Sequence, residues 1–225
     1  MRIVSKGKVI ELSPDKKKSR DGFTMVELLI VMTIIVVLAS LLGPMLNSAL
    51  RGNNLTQGAD KVLDVLSLAR QTALTKNQTV EVRFYAYTDS ETPGDTGQGH
   101  AIQPFLIDDS GNASPIIKAT LLPNTVVITT NSTLSSLFIP TNATAANLSF
   151  KIPRAGSNYT CYSFRYHRSG MTDLAGKTTA AGDQNWCVTL VNVIDAISNN
   201  NLPKNYTTIT IDPYNGAIRA YRPTL

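Results

Sequence analysis

The most apolar stretch of the chain begins at Phe23. Between Phe23 and Leu42, fifteen of twenty positions are Phe, Leu, Ile, Val or Met, and the only charged residue is Glu27. About 20 apolar residues are what a helix needs to cross the roughly 30 Å hydrocarbon layer of a membrane. Because the apolar side chains favour transfer by more than one acid near a helix end opposes it, we predict a transmembrane helix over residues 23–46.

The hydrophobic pattern becomes one-sided in the next segment. Apolar residues recur at alternating spacings of four and three, which is typical of one helix face that packs on a domain. These residues are Leu55, Ala59, Val62, Leu66, Ala69 and Ala73. We therefore predict one long helix over residues 23–77, with a kink at Pro44, since a proline inside a helix removes a backbone hydrogen bond.

A strand-like alternation follows from residue 78. Val80, Val82, Phe84 and Ala86 alternate with more polar neighbours, which predicts a half-buried strand. Further strand-like runs, separated by Gly, Asn, Asp, Pro and Ser, are 101–107, 115–121, 125–130, 148–152, 159–167, 186–193, 206–212 and 217–222. The Asn215-Gly216 pair predicts a hairpin between the last two. Residues 78–225 are thus expected to form a mostly antiparallel β head, and the fold class is α+β.

The positive charge is concentrated before the apolar stretch. Residues 1–22 hold seven of the 21 basic and three of the 16 acidic residues, a net charge of +4 out of +5. The remaining fourteen basic and thirteen acidic residues leave +1 for the body. The basic cluster 16–20 predicts that the N terminus stays cytoplasmic and the body is exported. A nearly neutral body disfavours a nucleic-acid partner.

Two ordinary explanations exist for an N-terminal apolar segment. A secretory signal peptide has a shorter apolar region and a small-residue cleavage site, and a plain membrane anchor needs no acidic residue. Neither accounts for Glu27, because an acid inside a membrane segment points to a functional site with a charged partner.

The segment Gly22-Phe23-Thr24-Met25-Val26-Glu27-Leu28-Leu29 closely resembles the signal of type IV pilins and type II secretion pseudopilins. The resemblance implies that residues 1–22 are a leader, that a prepilin peptidase cuts between Gly22 and Phe23, and that Phe23 is then N-methylated. It also implies that Glu27 neutralises the N-terminal amine of a neighbouring subunit during assembly. Pairing makes the two buried charges tolerable.

The order of one long helix and a β head is similar to pseudopilin H and to FimT-type minor pilins. The supporting residues are the helix end Leu68–Ala73, the Ser169-Gly170 turn and the closing hairpin. The resemblance implies a minor pseudopilin or pilin subunit that supports protein secretion, or alternatively a tip pilin acting in adhesion, pilus assembly or DNA uptake. The implied partners are other pilins, the prepilin peptidase, the inner-membrane assembly platform and the membrane itself.

Candidate chemistry in the head is sparse. His100 and His167 match no catalytic pattern, so we expect neither an enzyme nor a cofactor. Asp108 and Asp109 are weak candidates for a Ca²⁺ site, although a hairpin turn is favoured there. Cys161 and Cys187 are candidates for a disulfide bridge, the alternative being two separate thiols. If the head binds DNA, the candidate contacts are Arg219 and Arg222.

Overall fold

The computed structural model describes residues 22–92, 95–144, 151–155, 158–175, 177, 186–198 and 203–223. For residues 41–49, 144, 197 and 198 it describes the backbone alone. The chain divides into two compact units, Met1–Met45 and Leu46–Leu225. The predicted strand at 148–152 falls mostly outside the described residues.

A single long helix, α1, runs over Met25–Lys76. It ends where Asn77 adopts a left-handed conformation with a φ of 51° and the amide of Gln78 donates to the carbonyl of Ala73 at 3.3 Å. This is the Schellman arrangement that terminates many helices. In the second unit, all six residues of the predicted apolar stripe, from Leu55 to Ala73, are buried, which confirms the predicted packing face.

The second unit is built on one ten-stranded sheet, as counted over the described residues, with the order β10-β9-β8-β5-β2-β1-β7-β6. All pairings are antiparallel, and the short strands β3 and β4 pair with β2. The α+β class is confirmed. The strands are β1 (Thr79–Ala86), β2 (Gly99–Ile107), β3 (Ala113–Pro115), β4 (Thr120–Leu121), β5 (Val126–Ile128), β6 (Ala143–Thr144), β7 (Thr160–Tyr166), β8 (Trp186–Asn192), β9 (Tyr206–Ile211) and β10 (Ile218–Tyr221).

Several elements differ from the predictions. The run 115–121 is divided between β3 and β4, because the chain leaves the edge of β2 between their two pairings. The run 186–193 ends as strand β8 at Asn192, and a short helix, α2 (Val193–Ser198), follows it. A 3₁₀ turn at Pro140–Asn142 precedes β6. The predicted C-terminal hairpin is confirmed by the pairing of β9 with β10.

The main core lies between α1 and one face of the sheet. Gly58 permits this close packing, since a Cβ atom there would lie 2.9 Å from Cγ1 of Val126. The large buried side chains of this core are Phe84, Phe164, Tyr166 and Trp186. A second cluster covers the opposite face of β1, β2 and β7 and contains Tyr85, Phe105 and Cys161.

Strand β1 is buried on both faces, so the prediction of a half-buried strand is wrong. The alternation itself is present, with Val80, Val82 and Phe84 in the core under α1. Glu81 and Arg83 point to the other face and are also buried, at 3% and 4% exposure. β1 is an inner strand, flanked by β2 and β7, and the second cluster closes over its other face.

Glu81 joins two arginines across this second face. Its Oε1 accepts from Nε of Arg83 at 2.5 Å, and its Oε2 accepts from Arg165 at 2.8 Å. The Arg83 guanidinium also lies 4.0 Å from the ring centre of Phe105, a cation–π contact. Burial raises the pKa of the neighbouring Tyr85 far above its usual range, and Arg83 lowers it in part. One carboxylate therefore balances a fully buried guanidinium.

We expect Glu81→Gln to destabilise the protein by about 3 to 5 kcal/mol, because it leaves the buried Arg83 charge unpaired. Urea unfolding of the detergent-solubilised full-length protein measures the change. The double variant Glu81→Leu with Arg83→Met removes both charges and is expected to recover most of the loss. A Glu81→Gln variant as stable as the native protein would contradict this assignment.

The C-terminal hairpin generates a second prediction at Gly216, which has a φ of +66°. A Cβ atom there would overlap the carbonyl oxygen of Gly170. We expect Gly216→Ala to cost about 1 to 2 kcal/mol for the left-handed backbone and about 1 to 3 kcal/mol more for overpacking. Gly111→Ala is the matched control, since Gly111 has a φ of +84° and open space around it. Equal unfolding midpoints for the two variants would refute the overlap.

Candidate processing and assembly site

The site begins with three residues that precede the helix. Gly22, Phe23 and Thr24 are not helical and are exposed, with Phe23 at 83%. The first helical residue is Met25. The peptide bond between Gly22 and Phe23 therefore lies in accessible, non-helical chain.

Thr24 and Glu27 cap the start of α1 reciprocally. The Thr24 hydroxyl accepts a hydrogen bond from the amide of Glu27 at 3.2 Å. Oε2 of Glu27 accepts from both the amide and the hydroxyl of Thr24, each at 3.1 Å. This is the capping box, in which the two residues satisfy amides that the helix leaves without partners.

The capping box fixes the position of the Glu27 carboxylate and leaves part of it free. Both hydrogen bonds to this side chain reach Oε2, and within the described residues Oε1 accepts none. A carboxylate has about four acceptor positions. The arrangement can therefore bind one further donor, and a cation is favoured because it would neutralise the charge.

Apolar side chains cover the first part of α1 on all sides. From Met25 to Leu38 the large apolar residues are each about half exposed or more. Two hydroxyl side chains in this part of α1 bond the helix itself: Thr33 donates to the carbonyl of Ile30 at 2.7 Å, and Ser40 donates to that of Val37 at 2.7 Å. A helix that is apolar all round requires a cover. Across the described part of the chain, no helix reaches both the length and the apolarity that crossing a membrane requires.

Pro44 lies within α1. Its side chain is outside the described residues, and the kink remains a prediction.

The predicted disulfide between Cys161 and Cys187 is not formed, and both residues are free thiols. Cys161 is on β7 and Cys187 on β8, and β1, β2 and β5 lie between these strands. Four steps between neighbouring strands separate the two cysteine Cα atoms by about 19 Å. The Cα atoms of a disulfide-bonded pair lie within about 7 Å of each other. Burial raises the pKa of Cys161 to about 12, and Cys187 accepts the hydroxyl of Ser136 at 3.6 Å.

Asp108 and Asp109 do not converge on a common point. Asp108 accepts the backbone and side-chain amides of Asn112 at 2.7 and 3.0 Å, and these bonds lower its pKa. Asp109 pairs with Arg168 at 2.8 Å. The segment forms a turn between β2 and β3, and no cluster of metal-binding side chains occurs among the described residues.

Arg219 and Arg222 have different environments. Arg222 donates to the hydroxyl of Thr56 at 2.6 Å and to the side-chain oxygen of Asn205 at 3.3 Å, so it fastens the chain end to α1. Arg219 is exposed and lines a cavity of about 400 Å³ together with Trp186 and Tyr214. The two arginines do not form one patch.

Sequence reasoning missed a buried polar cluster at one end of the sheet. Asp95 accepts from the amide of Asp89 at 2.7 Å, and its Oδ2 lies 2.8 Å from Nε2 of His100. Arg154, with a left-handed φ of 73°, reaches Asp89 at 3.2 Å. Burial raises the pKa of the adjacent Tyr87 to about 12. These contacts join segments that are far apart in sequence. The local pattern that could have indicated the cluster is the high density of acidic residues after β1.

Comparison with known proteins bears on the N-terminal segment. Residues 17–43 match the family model described as the prokaryotic N-terminal methylation motif. No curated protein matches the chain. One solved structure with a similar course is the minor pseudopilin EpsH from the Type 2 Secretion System of Vibrio cholerae. It is 10% identical over 76% of this chain and 98% of that one, with a TM-score of 0.40.

The motif match covers the basic residues from Lys17, the Gly22-Phe23 bond and the capping box of Thr24 and Glu27. It falls on the residues whose resemblance to pilins and pseudopilins was read from the sequence. The chain therefore carries the prokaryotic N-terminal methylation motif across the Gly22-Phe23 bond and Glu27.

Proposed function

We propose that this protein is a minor subunit of a type II secretion pseudopilus and supports protein secretion. The observation that supports assembly into such a filament is the Glu27 carboxylate, which the capping box holds at the start of the apolar part of α1 with one oxygen free. A binding position for a single cation is what assembly through a neighbouring N-terminal amine requires.

Processing would give the mature protein its free amine. In this proposal residues 1–22 are a leader, the prepilin peptidase cuts between Gly22 and Phe23, and Phe23 is methylated on its nitrogen. The exposed, non-helical backbone at this bond supports the proposal, since a peptidase binds extended chain. Before assembly, residues 23–46 would cross the inner membrane with the N terminus in the cytoplasm and the head, 78–225, in the periplasm.

Assembly would then bury the apolar surface of α1 among the helices of other pilins at the inner-membrane platform. Glu27 would pair with the Phe23 amine of a neighbouring subunit. A lone carboxylate or ammonium is costly in an apolar bundle, and removing one partner of a buried pair is strongly unfavourable. The pair therefore disfavours any register of the two helices that separates the two charges.

An alternative is a minor type IV pilin at the tip of a surface pilus, acting in adhesion, pilus assembly or DNA uptake. The N-terminal chemistry is the same in both classes. Outside the N-terminal segment, the net charge of only +1 on residues 23–225 and the separate environments of Arg219 and Arg222 favour a structural subunit over a DNA-binding one, since phosphate tracking needs a basic face.

The Glu27 proposal is tested by two substitutions that separate the charge from the cap. Glu27→Gln keeps a capping-box residue but has no charge, and Glu27→Val removes both. We expect both variants to enter the membrane and to co-purify with partner pilins at least about tenfold less than the native protein, since each leaves the neighbour's amine unpaired. Quantitative immunoblotting of crosslinked filaments measures this.

Mass spectrometry of each variant checks that its N terminus is Phe23, so that a processing defect is not mistaken for an assembly defect. Native levels of co-purification for Glu27→Gln, with loss only in Glu27→Val, would show that the residue acts solely as a helix cap. That result would refute the charge pairing.

The biological class is tested by deletion of the gene in its native host. We expect export of secreted proteins to fall while surface pili, twitching and transformation persist, because a pseudopilus subunit serves the secretion machinery alone. Complementation with the native gene restores export. Intact secretion together with lost piliation or DNA uptake would reject the secretion role and support the alternative.

A further inference from the structure

Strand β10 forms one edge of the sheet. Among the described residues it pairs only with β9. The hairpin bond from the amide of Asp212 to the carbonyl of Ala217, at 2.9 Å, fixes which residues of β10 bond inward. Because hydrogen-bonded and non-bonded pairs alternate in an antiparallel ladder, Arg219 and Tyr221 bond β9. Ile218 and Ala220 therefore direct their backbone N–H and C=O groups outward.

A groove of about 410 Å³ adjoins this open edge. It lies within the second unit, between the C-terminal part of α1 and the start of β10. Its described lining consists of Ser67, Arg70, Gln71, Leu74, Ala217 and Ile218, with no carboxylate among them. Leu74 is 45% exposed, so the groove also offers apolar surface.

The charge beside the edge is positive. Arg219 projects from β10 and has no ion pair among the described residues. In the groove, Arg70 uses its Nη2 to bind the carbonyl of Asn215 at 3.0 Å, while its Nε is buried and lacks a partner. The acidic residue closest to Arg219 in sequence is Asp212, whose carboxylate accepts hydrogen bonds from the amides of Tyr214 and Asn215 at 2.9 and 3.2 Å.

The edge is also held in place before any partner arrives. Arg222 fastens the end of β10 to Thr56 and Asn205, and Arg70 fastens the hairpin turn to α1. A preorganised edge loses little conformational freedom on binding. Edge strands with free backbone groups are templates for an added strand.

We propose that β10 is a strand-addition site for an extended, acidic peptide segment of a partner protein. The segment would bond the outward groups of Ile218 and Ala220. Its side chains alternate, so that one set meets the groove beside Arg70 and the other lies near Arg219. A second copy of this chain is disfavoured as the occupant, because antiparallel β10–β10 pairing would bring Arg219 and Arg222 of the two copies together.

The test uses full-length protein in detergent and three fluorescent eight-residue peptides. The first alternates valine with glutamate, the second replaces glutamate with lysine, and the third is the acidic peptide with alternate backbone amides methylated. We expect the acidic peptide to bind at least about tenfold more tightly than the other two, since charge pairing and backbone bonds both contribute. Anisotropy measures affinity, and amide exchange should slow at Ile218 and Ala220.

Ala220→Pro removes an outward N–H, which edge strands tolerate, and should abolish binding. Ala220→Val keeps the N–H and is the matched control. Arg219→Glu should weaken binding by about tenfold through like-charge repulsion and provides a second test if the proline variant does not fold. Binding of the lysine peptide as tight as that of the acidic one, unchanged binding in Ala220→Pro, absence of binding, or peptide-free dimerisation through β10 would each overturn the proposal.

Discussion

The structure depends on one helix that meets two different environments along its length. In the second unit, α1 buries the stripe from Leu55 to Ala73 against the sheet and leaves its other side to solvent. In the first unit, apolar side chains from Met25 to Leu38 point in every direction and none is buried. A one-sided pattern can be satisfied within the chain, whereas an all-round pattern cannot. The N-terminal half of α1 therefore requires other molecules, lipid or protein, as its cover.

The acid at the start of this helix serves two physical purposes. As a cap, Glu27 satisfies the Thr24 amide, and any capping-box residue could do so. Glu27 also carries a negative charge. Where water is excluded, hydrogen bonds alone do not compensate this charge, because an ionised carboxylate in an apolar bundle needs a counter-charge. The capping box makes pairing with a counter-charge more selective, since it holds the Glu27 carboxylate near the helix start with one oxygen available. In the proposed assembly, an incoming amine would meet an oriented acceptor rather than a freely rotating side chain.

Sequence patterns predicted those parts of the fold that depend on local periodicity. The stripe on α1, the alternation in β1 and the final hairpin are each set by neighbouring residues, and each is present. The burial of Glu81 was not predicted, because it depends on β1 lying between β2 and β7, and sheet order is a long-range property. The disulfide prediction failed for the same reason, since it required knowledge of the strands between β7 and β8. The Thr24 cap, by contrast, follows from the local pattern Thr-x-x-Glu alone.

Most of the described arginines of the second unit bind acceptors within the chain. Arg83 and Arg165 share Glu81, Arg154 binds Asp89, and Arg168 binds Asp109. Arg70 and Arg222 bind neutral oxygens that hold the C-terminal hairpin and chain end on α1. These guanidiniums act as internal connectors, for which their fixed fork of donors is well suited. Arginines engaged in this way have little to offer a phosphate backbone. Of the described arginines on the strands of the sheet, Arg219 is the one whose side chain makes no ion pair or hydrogen bond, so it stays available to a partner.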